Sequence, residues 1–200
     1  MVLEDIKKKY NDCILCGNCD NKMKIFGFGN PTAKIAVIST APGKEKTEKA
    51  HQLLLKILAS IDLPTENLYF THTILCEPNE DRIPTKEEYS NCRKRLFEEL
   101  SIIEPKFGIL VGDTALKSIL GENYKSWGSH GNWFTTLAWP CFFYFSLLDP
   151  AWILRSSIEG EMRARKLLMW KDIKAFKSEM EVLNNSININ SGAYHNEIIG

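Results

Sequence analysis

Three polar side chains stand where apolar runs stop. "FFYFSLLDPAWILR" (142–155) is an aromatic run ended by Asp149, "NLYFTHTIL" (67–75) carries His72, and "AKIAVIS" (33–39) opens onto the turn Thr40-Ala41-Pro42-Gly43. A carboxylate can order a water molecule or face a developing cation, and an imidazole can donate an N–H to a leaving group. Each residue also has an ordinary role. Asp before Pro opens turns, and Asp149 can cap a helix beginning at Ala151. A strand histidine such as His72 is commonly a satisfied, half-buried residue, and Thr40 can serve only the backbone of its turn. Six cysteines add a second chemistry. In a chain of cytosolic character they read as metal ligands or reactive thiols rather than disulfides, because the cytosol keeps thiols reduced. Cys13, Cys16 and Cys19 cluster before the first strand, Cys76 and Cys92 bracket a proline-containing loop, and Cys141 reads as a small buried hydrophobe in an apolar strand.

The elements that must hold these residues alternate. After the strand 33–39 comes a helix, "TEKAHQLLLKILASIDL", with apolar residues at helical period, Thr47 as its N-cap and Pro64 beyond its end. "TKEEYSNCRKRLFEELSIIE" (85–104) opens with Thr85 and, three residues on, Glu88, the signature of a capping box. "KFGILVG" and "WPCFFYFSLL" are two further buried strands. Between them lie a short helix, "DTALKSILG", with Gly121 as its C-cap, and an irregular segment, "ENYKSWGSHGNWFTTLA". In that segment Trp127, Trp133 and Phe134 read as core aromatics, with base stacking as the alternative. "EGEMRARKLLMWKDIKAFKSEM" closes the fold as an amphipathic helix, and 181–200, rich in Asn, reads as a mobile tail. Strands alternating with helices imply a three-layer α/β/α sandwich around a mostly parallel, four-stranded sheet, a single domain over 1–180. Ligands of such sheets bind beyond the carboxyl ends of the strands, so "STAPG", "THTILC" and "LLDPAW" should converge on one cleft.

Composition bounds the rest. The chain has 200 residues, 44% hydrophobic and 25% charged, which suits one globular domain with a sizeable core. No apolar run approaches the ~20 residues of a membrane span, and the N-terminus lacks the apolar region of a signal peptide, so a cytoplasmic protein is expected. A formal net charge of zero removes the simplest argument for nucleic-acid binding and leaves only local basic patches.

Taken in order, "CILC", "KIFGFGNPTAKIAVISTAPG", "CEPNEDRIPTKEEYSNC", "EPKFGILVGDTAL" and "DPAWILR" followed by "WKDIKAFK" make the chain similar to the iron-sulfur uracil-DNA glycosylases, the family 4 branch of their superfamily. The likeness runs from about residue 10 to about residue 177. It implies that Cys13, Cys16, Cys76 and Cys92 hold a 4Fe-4S cluster of structural purpose. Four thiolates would by ligand type alone suit zinc equally well. Cys19 is an extra thiol beside that set.

The resemblance also marks departures. The family carries an acidic residue where this chain has Thr40, so the turn Ala41-Pro42-Gly43 is kept without its carboxylate. The segment that stacks a Phe ring on uracil is missing, since "KEKTEKAHQLLLKIL" runs straight into the helix. His72 stands where the family reads the base with Asn, and Asp149-Pro150 where it has His-Pro. His130-Gly131 falls where the family often has Arg-Gly, which makes His130, with Arg155, a candidate DNA contact. An ionised Asp cannot donate to a departing base, so the expected roles are redistributed. His72 would donate to the base, Asp149 would face the sugar cation or order water, and Thr40, Ala41, Pro42, Gly43 and Pro150 would line the substrate.

Three functions remain in view. The first is a monomeric DNA glycosylase acting on a flipped-out, 5-substituted pyrimidine, a kind of base typical of bacteriophage DNA, with a role in phage biology or defence. The second is a non-catalytic module that binds DNA or a protein, for example in replication. The third is an ordinary uracil-DNA glycosylase.

Overall fold

The four apolar runs do pair as parallel neighbours. A computed structural model describes residues 2–16, 23–41, 45–78, 82–141 and 143–196, apart from the side chains of 45–47 and 186–196. Its elements are α1 (Leu3–Tyr10), β1 (Phe28–Gly29), β2 (Ile35–Ser39), α2 (Glu45–Ala59), β3 (Leu68–His72), α3 (Lys86–Ile103), β4 (Phe107–Val111), α4 (Asp113–Leu120), α5 (Ser126–Ser129), β5 (Trp133–Thr135), β6 (Phe143–Leu147), α6 (Ala151–Leu154) and α7 (Glu159–Asn196). The sheet order is β1-β3-β2-β4-β6-β5. The central four strands are parallel, and β1 and β5 pair antiparallel at the two edges. The expected four-stranded sheet is therefore the centre of a six-stranded one.

Side chains alternate across this sheet because successive strand residues face opposite ways. Ile35, Val37, Phe70, Ile109 and Phe145 meet Leu54 and Leu58 of α2 and Met169, Ile173 and Phe176 of α7. On the other face Ala36, Ile38, Leu110 and Tyr144 meet Leu96 and Leu100 of α3 and Leu116 of α4. These two cores are the two interlayers of an α/β/α sandwich. Gly108 lets Tyr144 lie across β4, since a Cβ there would come within 2.5 Å of the ring. Cys141 beside it is fully buried, with its thiol pushed up to about 12 by burial, as suits an inert core residue.

The local signals held unevenly. Thr85 and Glu88 form the reciprocal capping box of α3, and Gly121, at φ +113, follows the last turn of α4. Thr47 is not an N-cap: α2 starts at Glu45, and the good helix formers Glu45 and Lys46 carry the helix past it. The segment between α4 and β6 is not all irregular, holding α5 and β5. The closing helix runs on past 180 to Asn196, through a stretch with no proline to stop it.

Candidate active site

Leaving β2, the chain goes to one side to make β3 and then crosses to the other side of β2 to make β4. Strand order reverses between β2 and β4, so their carboxyl ends form the switch-point crevice where such sheets take ligands. Thr40 follows β2 and Gly112 follows β4. Gly112 has φ +84, and a Cβ on it would stand 3.3 Å from Asp149 Cβ, 3.6 Å from Thr40 Oγ1 and 3.8 Å from Asp149 Oδ2. Thr40 and Asp149, far apart in sequence, thus meet around one glycine. The Gly112 N–H donates to Leu147 O at 2.9 Å, which fixes the height of Asp149 beside it.

Asp149 uses its two oxygens differently. Oδ1 accepts the N–H of Ala151 at 2.8 Å, the first residue of α6, while the buried Pro150 starts that turn. Oδ2 lies toward Gly112. Burial pushes the carboxyl above its usual range, against the opposing pull of the Ala151 N–H and the Arg155 charge. Arg155 is exposed at the end of α6, close enough for its charge to reach Asp149.

On β3, His72 lies in register with Ser39 of β2, and Ser39 Oγ sits 2.7 Å from His72 Nδ1. The same hydroxyl is 3.5 Å from Thr71 O, too long to compete for its proton. The direction of the Ser39–His72 contact is set by the ring tautomer: with Ser39 donating to Nδ1, the neutral ring carries its own proton on Nε2. Burial, with the Arg95 charge and then His51, lowers His72 to about 3, so the ring is neutral at physiological pH. Thr73 ties this end to the β2 turn, donating its N–H to Ser39 O at 2.9 Å and its hydroxyl to Thr40 O. Ala41 packs against Ile74, Tyr89 and Cys92. Pro42 and Gly43 lie outside the described residues.

Behind β3 stands a buried polar brace that the sequence reading missed. Arg95 and Glu99, each 1% exposed, pair at 2.6 Å one helical turn apart on α3. Arg95 also donates to His72 O at 2.6 Å and Thr71 Oγ1 at 3.2 Å, and Glu99 accepts from Tyr69 Oη at 2.6 Å and Gly27 N at 3.1 Å. The brace holds the backbone of His72 from the face opposite its ring. The i, i+4 spacing of Arg95 and Glu99 was the available signal.

A cavity of about 540 Å³ lies at the β1 edge of the sheet, toward the amino end of β3, lined by Phe28, Asn30, His51, Thr65, Glu66 and Phe70 and by none of Thr40, His72, Gly112 or Asp149. Phe28 and Phe70 stack at 5.3 Å, and His51 meets both edge-on. Phe70 is two residues before His72 and so on the same face of β3, and His51 is near enough to depress the charging of His72.

His130 does not stand free in the cleft. Its Nδ1 lies 2.7 Å from Asp172 Oδ2 of α7, whose carboxyl is raised by burial and lowered back by this contact. Gly131, at φ +73, permits the approach, since a Cβ there would come within 2.8 Å of Asp172 Oδ1. Trp133 and Phe134 pack against the two cores as expected. Trp127 does not: it is 63% exposed.

Three of the described cysteines gather at the α1 end. Cys13, Cys16 and buried Cys76 share a packing cluster with Ile6, Tyr10 and Leu75. Cys92 is buried in the neighbouring cluster, and Asn91 next to it donates to Leu15 O at 2.7 Å, binding α3 to the loop that carries Cys16. Lys9 and Tyr10 of α1 hold Glu98 of α3 at 2.7 and 3.1 Å. Among the described residues no three His, Cys, Asp or Glu side chains close around a common point. Cys13, Cys16, Cys76 and Cys92 are by type the donors of a four-thiolate centre, divided here between two adjoining clusters. Cys19 lies outside the described residues.

The family model for the Uracil DNA glycosylase superfamily matches residues 26–174. A type-4 uracil-DNA glycosylase of Archaeoglobus fulgidus is 33% identical over 125 residues, covering 58% of this chain and 63% of that protein. One of Thermotoga maritima is 27% identical over 123 residues, with shares of 58% and 64%. A DNA polymerase of Bacillus phage SP01 is 27% identical over 175 residues, 76% of this chain but 19% of the polymerase. The chain thus spans under two thirds of the length of the type-4 relatives it matches.

Proposed function

The chain belongs to the uracil-DNA glycosylase superfamily, and we propose that it hydrolyses the N-glycosidic bond of a base extruded from DNA, its substrate a 5-substituted pyrimidine rather than plain uracil. The observation that carries this reading is the meeting of Thr40 and Asp149 around Gly112 at the sheet's switch point, with His72 on the neighbouring strand. A decayed site would as readily hold apolar residues there. In the proposed reaction a water oxygen attacks C1′ as the C1′–N bond breaks and its electron pair leaves with the base. The ionised Asp149 Oδ2 faces the cationic sugar and takes the water proton, and the His72 N–H donates to the base carbonyl on which charge builds. The products are an abasic sugar and the base anion, which takes a proton from solvent as Asp149 returns its own to solvent. In this reading Thr40 Oγ1 orients the water that Asp149 deprotonates.

The choice of base rests on two departures from the family: the segment that stacks a Phe ring on uracil is missing, and His72 stands where the family reads the base with Asn. Both changes enlarge the site and alter its hydrogen-bond code, which suits a pyrimidine with a bulky 5-substituent. Such bases belong to bacteriophage DNA, so the reading extends to a part in phage biology or defence. Cys13, Cys16, Cys76 and Cys92 would hold a 4Fe-4S cluster whose contribution is structural, cross-linking the α1 arm to the loop before α3 and, through Ala41 against Cys92, steadying the β2 turn.

The match inside a phage DNA polymerase favours a second reading, a DNA-binding module attached to replication without chemistry of its own. Release of base from DNAs carrying uracil, 5-hydroxymethylpyrimidines or glucosylated bases separates the two. Binding without release from any of them selects the module, and release from uracil alone selects an ordinary uracil-DNA glycosylase.

A further inference from the structure

Two segments flank the Gly112–Asp149 pair, and each presents a tryptophan at its outer end. Asp113, next to Gly112, accepts the backbone N–H of Ser126 at 2.7 Å and also its hydroxyl, which pins α5 to the start of α4 and sets Trp127 beside the cleft. On the other flank the Trp152 N–H donates to Asp149 O at 2.9 Å, so this residue is held to the cleft by the same turn that places the carboxylate. The two indoles close the ring, their centroids 5.3 Å apart and edge to face.

Both rings are held from behind. The Arg165 guanidinium lies 4.6 Å over the Trp152 ring, while the same group donates to Trp152 O and pairs with Glu161. His130 meets Trp127 at 5.8 Å and is itself fixed by Asp172 at 2.7 Å. Trp127 is nevertheless 63% exposed. A large apolar ring that is ordered on one side and open to water on the other gains nothing for the fold from its open face. Such a ring is suited to stack on a planar partner at little entropic cost.

Building on the proposed base-extruding activity, we propose that Trp127, backed by Trp152, is a stacking platform for an unpaired DNA base next to the nucleotide admitted to the Gly112–Asp149 cleft. A base inside a duplex already has both faces stacked, so the platform selects single-stranded or locally opened DNA. Arg155, exposed at the end of α6, supplies positive charge along the same rim for the backbone phosphates.

The test is the affinity of the purified full chain for a fluorescently labelled single-stranded oligonucleotide of ordinary bases, compared with the same strand carrying abasic residues throughout. Trp127→Ala should weaken binding to the ordinary strand about tenfold, the size of one lost base stack, Trp127→Phe should restore most of it, and neither change should alter binding to the abasic strand. Equal affinity of Trp127→Ala and the parent for the ordinary strand would overturn the proposal. So would an equal loss on the abasic strand, which would mark a charge or folding effect. No base release is needed for this measurement, so failure of the glycosylase reading would show separately, as intact stacking without excision.

Discussion

Ala151 donates its backbone N–H to Oδ1 of Asp149 at 2.8 Å, while Oδ2 of the same carboxylate lies toward Gly112. One oxygen of this part-buried side chain therefore caps the turn, which leaves the second for the chemistry proposed for the cleft. Asp149→Asn keeps an oxygen for Ala151 and removes the charge. It should leave folding and DNA binding intact while lowering base release by about 10²–10⁴-fold, the usual loss for a general base. Asp149→Ala should in addition cost about 1 kcal/mol in a urea unfolding curve, through the lost cap.

Gly112→Ala tests the meeting point itself. Its φ of +84 strains any other residue, and its Cβ would crowd Asp149 Cβ at 3.3 Å. Backbone strain alone should cost about 1–2 kcal/mol, read from chemical denaturation. Base release should fall further than stability explains, because the Thr40–Asp149 spacing must open.

The pH dependence follows from two opposite shifts. Burial raises Asp149 above 3.8, so base release should climb with pH through an inflection above the ordinary carboxylate range. His72 is lowered from 6.5 to about 3, so no inflection should appear near 6.5. For stability the signs differ. Below 6.5 the unfolded chain protonates His72 while the folded chain does not, so stability is lost as pH falls from 6.5 toward about 3. His72→Gln should flatten that slope in thermal melts. For Asp149 the folded state holds the proton more tightly, which works against stability as pH rises from 3.8.

Arg95 and Glu99 should prove strongly coupled. Glu99→Gln leaves a buried guanidinium facing a neutral amide, and a loss of about 3–5 kcal/mol is expected. Replacing both residues with apolar side chains should recover much of that stability, measured as a double-mutant cycle. The doubly replaced protein should still release base more slowly, because His72 O loses its 2.6 Å bond from Arg95.

Iron and acid-labile sulfide contents check the cysteine centre. Cys76→Ser and Cys92→Ser should lose the metal and the visible absorbance together with thermal stability, whereas Cys141→Ser should keep the metal and the absorbance. Zinc in the purified protein with no sulfide would contradict the iron-sulfur reading.

The sequence disclosed what depends on near neighbours. The capping box of Thr85 and Glu88 and the end of α4 at Gly121 are set within a few residues, and the four central strands follow from apolar runs bounded by turns. β1 and β5 were missed because two or three residues carry no readable alternation and form only by pairing with β3 and β6. Within the cleft, Thr40, His72 and Asp149 were visible as polar residues at strand ends. Gly112 was not, because its importance arises only when β4 comes to lie between β2 and β6. Trp127 looked like core because its spacing matched Trp133 and Phe134, while the tie of Ser126 to Asp113 holds it at the surface.

The most direct test of the central claim is base release by metal-loaded protein from DNAs carrying uracil, 5-hydroxymethylpyrimidines or glucosylated bases, each compared with Asp149→Asn. Release of a 5-substituted pyrimidine in preference to uracil is expected, abolished in the variant. Release from none of these DNAs, or release unaffected by Asp149→Asn, would contradict that claim.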